Sequence, residues 1–264
     1  MRIPLPGVGR NLQDRYEIGV VNRMNFEAWH AYRSATFGPG DPQFQDWKKN
    51  RSGAYIANGS VLTLFRRSPS AELADLFCCM ALLAKFSGYY PSYSADCVRD
   101  LNYLTWVVLK AHTHNRAGEV TLRSADPRDT PLINFNYFEE GGKEDLDAVV
   151  DGIRFVRRLT DRLRRQKLVA KEELPGAEVE TTDDLRQFVR DNAWGHHASC
   201  SCPIGPRESG GVLSSDFRVH GTEALRVVDA SVFPRIPGFF IAGAVYIIGE
   251  KAAATILSGP RRQN

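Results

Sequence analysis

GEVTLRSADPRDTPLINFNYFEEGGKEDLDAVVDGIRFVRRLTDRL, residues 118–163, changes its hydrophobic period half-way along. Glu119 to Pro127 alternates and ends in a turn, and Pro131 to Phe138 follows as a second extended segment. That pattern is an antiparallel pair. From Glu144 onward Leu146, Val149, Val150, Ile153, Val156, Leu159 and Leu163 fall at steps of three and four. That is an amphipathic helix of about five turns with one apolar stripe. Strands that pair antiparallel, followed by a helix with one face to bury, predict an α+β fold: a mainly antiparallel sheet with helices packed on one face.

The neighbouring segments agree. Towards the N-terminus, Ser60 to Ser68 (SVLTLFRRS) and Leu104 to His112 (LTWVVLKAH) are rich in branched and aromatic residues, and Ile18 to Val21 supplies another short run. All three read as strands. The opening, MRIPLPGVGRNLQD, is broken by proline and glycine, so a strand follows a loop with no folded element ahead of it. The chain therefore reads as a piece whose beginning lies elsewhere. Towards the C-terminus, the Thr181 hydroxyl can cap a helix, with Asp184 three residues on and Leu185, Phe188 and Val189 on its inner face. That helix runs out at Asn192. A strand (Ala224 to Ala230), a broken turn (FPRIPG) and an apolar run (Phe239 to Gly249) come next, and a closing helix (Glu250 to Leu257) ends the pattern. The apolar run suits a buried strand or a turn entering the helix, and is far short of the ~20 residues that span a bilayer.

Composition excludes several classes. The 264 residues are 43% hydrophobic and 25% charged with a net charge of +3, which argues against disorder and gives no footprint for nucleic acid. Arg157, Arg158, Arg162, Arg164 and Arg165 lie on the helical pattern and read as a solvated helix face. Five cysteines are no disulfide framework. With no secretory segment at the start, the expectation is a reducing, cytoplasmic setting in which the sequon at Asn58 is idle.

DNAWGHHASCSCPIG (Asp191 to Gly205) places two histidines next to two cysteines. His197, Cys200 and Cys202 have the ligand types of zinc, but a structural site needs a second pair, and Cys78 and Cys79 sit inside an apolar run where cysteine acts as a small hydrophobe. A cysteine nucleophile has only proximity in its favour, and the G-x-S-x-G elbow of serine hydrolases is absent. Two readings stay open: a loop of small residues presenting an imidazole to a pocket as acid/base, or a pair of satisfied core histidines.

Five segments, in order, resemble the glucose–methanol–choline (GMC) family of flavin oxidoreductases. LPGVGRNLQD (Leu5 to Asp14) is similar to the loop leaving its flavin domain, Gly118 to Phe138 to its G-x-V-x-L-x-S-x-D-P segment, and EDLDAVVDGIRFVRRL to the helix that follows. HASCSCPIG (His197 to Gly205) lines up with H-P-x-G-T-C-x-M-G. ALRVVDASVFPRIPG and GEKAAATIL resemble its closing strand, D-A-S-x-x-P turn and last helix. The resemblance implies oxidation of a CH–OH group of an alcohol by hydride transfer to FAD. His197 falls on the active-site histidine that takes the hydroxyl proton or steadies the alkoxide. An imidazole suits that task because it accepts and donates near neutral pH. His196 is the secondary candidate. The cofactor-binding positions implied are Asn11, Asp229, Ala230, Ala244, Val245 and Tyr246, and no metal is expected.

The departures also carry expectations. Ala198, Cys200 and Ser201 loosen the histidine motif, and Arg15 stands where the family often has histidine. Phe240 stands where a second histidine or an asparagine usually lies. No G-x-G-x-x-G turn follows a strand, so the dinucleotide cradle of the family is missing. The division expected is residues 1–14 as the loop leaving a flavin domain, 15–209 as the substrate domain, and 210–264 as a returning flavin-domain segment. A flavin-binding half, upstream or separate, is the expected partner. The alternative is a catalytically silent fragment acting as a binding or interaction module.

Overall fold

The computed structural model describes residues 3–258 apart from 33, 34, 37, 58 and 59, and only the backbone at 31 and 78–81. The sequon asparagine and the side chains of Cys78 and Cys79 therefore lie outside the described residues. The chain divides into two units. One comprises Met1–Arg15, Ala111–Asp145 and Gly195–Asn264, the other Tyr16–Lys110 and Leu146–Trp194.

The second unit is built on five antiparallel strands: β1 (Tyr16–Met24), β2 (Leu64–Arg66), β3 (Leu76–Leu82), β4 (Tyr103–Lys110) and β7 (Val169–Leu174), in the order β2-β3-β4-β1-β7. β1 and β4 pair over eight positions, from Tyr16–Lys110 to Arg23–Tyr103. Every residue of β4, and all of β1 except Arg23, is buried, so these strands read as near-continuous apolar runs because both faces are covered. Neighbouring residues show the two covers. Trp106 donates its indole N–H to Thr160 of helix α3 (Gly142–Arg165) at 2.8 Å. Thr105, pointing to the opposite face as its neighbour must, donates its hydroxyl to the Ala84 carbonyl at 2.6 Å and accepts the Phe86 N–H at 3.2 Å. Gly19 allows that second cover to lie close, since a Cβ there would stand 2.7 Å from the Phe86 carbonyl oxygen.

α3 buries Leu146, Val149, Val150, Ile153 and Val156 of the stripe its period predicts, whereas Leu163 is half-buried and Leu159 exposed as the helix runs on. Helix α4 (Thr182–Asn192) begins at the Thr181 cap, whose hydroxyl oxygen accepts the Asp184 N–H at 3.1 Å, and ends at Asn192 as expected. The arginine face of α3 differs from its expectation. Arg157 and Arg164 hold Glu172 of β7 at 2.6 and 2.5 Å, and the Glu172 side chain is only 2% exposed. The pattern of charges along one helix could not show that a carboxylate from a strand lies beneath it. Helices α1 (Pro42–Asn50) and α2 (Tyr93–Arg99) have no strong apolar period and went unforeseen.

The first unit is loop-rich. It holds the hairpin β5 (Glu119–Thr121) and β6 (Leu132–Asn134), and helix α5 (Ala242–Ser258). The expected strands and turn at residues 118–138 are present, although shorter than their apolar runs. Two expectations fail. Ala224 to Ala230 forms no strand, only an isolated bridge between Arg218 and Arg226. A strand needs a continued ladder, and here Val219 donating to the Leu225 carbonyl and Val227 to the Phe217 carbonyl make that one bridge, with Leu225 and Val228 exposed. For Phe239 to Gly249 the buried strand fails and the other reading, a turn entering the helix, holds: α5 starts at Ala242, and Tyr246 and Ile247 are 78% and 70% exposed. The unit's core is the cluster of Val212, Leu213, Phe217, Val219, Val232 and Ala252.

Candidate active site

The segment Asn11–Arg15 is laced to two others in its unit. Gln13 exchanges backbone hydrogen bonds with Ser199 (3.0 and 2.9 Å). Its side chain donates to Asn11 Oδ1 at 2.7 Å and accepts the Ile236 N–H at 3.2 Å. Asn11, at φ +61°, donates to the carbonyls of Cys200 and Pro234, both at 3.2 Å. Cys200, Cys202 and Ile204 then donate to the carbonyls of Ala230, Ser231 and Val232. These bonds pair backbone groups of irregular chain and let it sit inside the unit.

His197 is held within this lacing. Its residue is 7% exposed, whereas the adjacent His196 is exposed, with the two rings 4.1 Å apart. The His197 N–H donates to Asp14 Oδ1 at 2.9 Å, and the Phe240 ring stands 6.0 Å from the imidazole in an edge-on arrangement. Asp14 is itself buried. Its carboxylate also accepts the Arg15 N–H at 2.8 Å and the Tyr137 hydroxyl at 3.2 Å, while its carbonyl accepts from Thr113 at 2.8 Å. Burial pushes the Asp14 carboxyl above the ordinary carboxylate value, and the three donors pull it part of the way back. The Arg15 guanidinium is fully buried and donates to the Pro237 carbonyl. Asp14 and Tyr137 were not singled out by sequence reasoning. The only signal was the D of the L-x-D loop, which says nothing about what it meets 183 residues on.

Burial pushes the Cys200 thiol up to about 11 and raises Cys202 as well. A thiol kept protonated is a poor nucleophile and a poor ligand. His197, Cys200 and Cys202 do not bring their ligand atoms within 4.8 Å of one another.

The expected cofactor positions fall in two places. Asp229 is exposed and caps a short turn, its carboxylate accepting the Ser231 N–H at 2.8 Å, while the Ala230 carbonyl is taken by Cys200. Ala244, Val245 and Tyr246 lie in the first turns of α5, where Val245 donates back to Ile241 at 2.9 Å. The N–H groups before it have no acceptor within the helix. Asn11's side-chain amide is committed to its own chain.

The sheet unit holds a second group. Glu17 is 2% exposed, on the β1 face that it shares with Gly19 and Val21. Phe86, Tyr89, Tyr93 and Trp194 form an edge-to-face cluster with centroids 5.1–5.9 Å apart. Trp194 exchanges backbone hydrogen bonds with Glu17 (2.8 and 3.1 Å), and burial, with the Glu17 charge adding to it, raises the Tyr89 phenol. Gly88, at φ +142°, lies against the indole, where a Cβ would approach to 3.0 Å.

The sequence model described as GMC oxidoreductase matches residues 113–249, which include the His197 loop and the first half of α5. This chain belongs to the GMC oxidoreductases. It is 38% identical over 259 residues to the oxygen-dependent choline dehydrogenase of Pseudomonas fluorescens, covering 96% of this chain and 43% of that protein. The choline dehydrogenase of Pectobacterium carotovorum is 39% identical over 258 residues, with 96% and 44% covered. Among solved structures, a formate oxidase from Aspergillus oryzae RIB40 superposes with a TM-score of 0.72 at 25% identity, covering 95% of this chain and 47% of that one. The GMC chain described here thus spans about half the length of the relatives it matches. No helix among the described residues is long and apolar enough to cross a membrane.

Proposed function

We propose that this chain provides the acid/base and substrate-side part of an FAD-dependent oxidoreductase that oxidises the CH–OH group of an alcohol. The observation that carries this reading is the buried imidazole of His197, its backbone pinned by Asp14, inside the segment matched to the family. His197 accepts the substrate hydroxyl proton, or steadies the alkoxide, at its imidazole nitrogen. Phe240 offers it only an apolar neighbour, so no second polar side chain from that position shares the proton. FAD, when bound, supplies the acceptor for the hydride. The residues fit such a group: a Cβ at Gly238 or Gly243 would meet nothing within 4 Å, and the start of α5 carries no acidic residue beside its open N–H groups. Ala244 to Tyr246 and the Asp229–Ala230 turn are the segments we assign to it.

We also assign the sheet unit, residues 16–110 and 146–194, to substrate, and a flavin-binding half, upstream or separate, as partner. The exposed Tyr246, Ile247 and Leu257 on α5 support that partner, because apolar helix surface of this kind marks an interface. For the alcohol, a permanently cationic one such as choline fits best. Aromatic rings gathered beside a buried carboxylate are the chemistry that holds a quaternary ammonium group, and relatives at 38% and 39% identity carry choline in their names.

The test is to complement the chain with a GMC flavin-binding half and follow anaerobic bleaching of the flavin. Choline should bleach it, and 3,3-dimethylbutanol, the same shape without charge, should do so far more slowly. Equal rates would remove the cationic substrate and leave alcohol oxidation standing. No bleaching by any of a panel of alcohols, with a full-length relative as positive control, would remove the oxidation itself.

A further inference from the structure

We infer that Asp14 is a positioning residue: its ionised carboxylate holds the main chain of His197 in the active orientation, and protonating it releases that hold. The inference rests on the reading of His197 as the acid/base.

The geometry is a three-donor cradle. Oδ1 takes the main-chain N–H groups of both Arg15 and His197, and Oδ2 takes the Tyr137 hydroxyl. An ionised carboxylate can accept all three, whereas a protonated one must donate through one oxygen and holds the rest without charge assistance. The backbone is shaped for the contact. A Cβ at Gly195 would stand 2.4 Å from Asp14 Oδ2 and 2.6 Å from the Arg15 carbonyl, so the loop approaches the carboxylate only because residue 195 has no side chain. The titratable and charged groups that face Asp14 are His197, Tyr137 and Arg15, and the Arg15 guanidinium is directed to the Pro237 carbonyl.

The sign of the Asp14 shift separates positioning from simple structural support. Its folded value is raised by burial, so its contribution to stability is present below the unfolded value and is lost as pH rises through the folded one. At neutral pH the charge is a cost, and the isosteric amide removes it. A carboxylate kept only to stabilise the loop would show the reverse.

Two measurements decide the matter. In the 264-residue chain, the ¹⁵N–¹H signal of the His197 amide should titrate with a midpoint above the ordinary carboxylate value. Tyr137→Phe should move that midpoint higher, because a donor to the charged form is lost, and Asp14→Asn should abolish it. In the complemented flavoprotein, Asp14→Asn should slow flavin reduction about 10–100-fold at unchanged KM, the scale of a displaced catalytic group. Its melting temperature at pH 7 should be equal or higher. An amide that titrates at the ordinary value and ignores Tyr137→Phe overturns the inference, as does a wild-type rate in Asp14→Asn. If Asp14→Asn does not fold, the Tyr137→Phe titration decides alone. A normal rate in His197→Ala would sink the acid/base reading, while the amide titration still upholds or overturns the hold of Asp14 on the loop.

Discussion

The sheet unit and the histidine unit solve the same problem, keeping chain out of water, by different means. In the sheet unit, β1 and β4 are buried on both faces and α3 lays branched aliphatic residues against them. Its backbone groups are paired by the ladder itself. In the histidine unit, side chains do the pairing: Asn11, Gln13 and Asp14 reach across to residues 197–200 and 234–236. The unit also leaves Tyr246, Ile247 and Leu257 of α5 uncovered. The sheet unit exposes apolar side chains too, Phe65 of β2 at 56% among them, but keeps its central strands closed, whereas a site must keep polar groups dry, aimed and able to change protonation state.

The largest effect should come from the histidine unit and appear in rate. His197→Ala should lower flavin reduction in the complemented protein by roughly 10²–10⁴-fold, while His196→Ala, whose ring is exposed, costs under about tenfold. Should His196→Ala be the crippling change, the site is displaced by one residue and the contrast between the units loses its chemical end.

Next, Arg157→Ala should destabilise the sheet unit by about 3–5 kcal/mol in urea unfolding, because it strips a close partner from a buried carboxylate. Arg164 also holds Glu172 at 2.5 Å, so a loss below that range would show this second arginine to be sufficient. Leu109→Ala, near the end of β4 and 1% exposed, should cost about 2–5 kcal/mol by the same measurement. Leu257→Ala, 81% exposed on α5, should change stability by no more than about 0.5 kcal/mol. Equal losses at the two leucines would mean that α5 is covered in solution, and the contrast would narrow. Thr181→Ala, which removes the cap of α4, should cost about 1 kcal/mol, between the two leucines.

What could be read from sequence tracks how local its cause is. The α3 stripe and the Thr181 cap are set by residues three or four positions apart, and both were legible. The strand runs at Leu104–His112 and 118–138 were legible because branched and aromatic residues alternate or cluster there. The segment Ala224 to Ala230 has the same composition, yet forms no strand because its pairing with residues 217–219 stops at a single bridge. The Phe239–Gly249 run enters the helix as a turn, but its apolar character does not bring burial, because exposure depends on what else packs there.

The sequence by itself determined the α+β class, the long helix and its inner face, and, through five ordered segments, the GMC family and the histidine loop. Tertiary structure alone decided that His197 rather than His196 is buried, that Cys200 is held as a thiol, and that Arg157 and Arg164 clasp a strand carboxylate. It alone paired Asp14 with His197 across 183 residues. The physical reason is range. Periodicity and capping are written within one helical turn, whereas burial, strand pairing and the environment of a titratable group are sums over atoms that only the folded chain brings together.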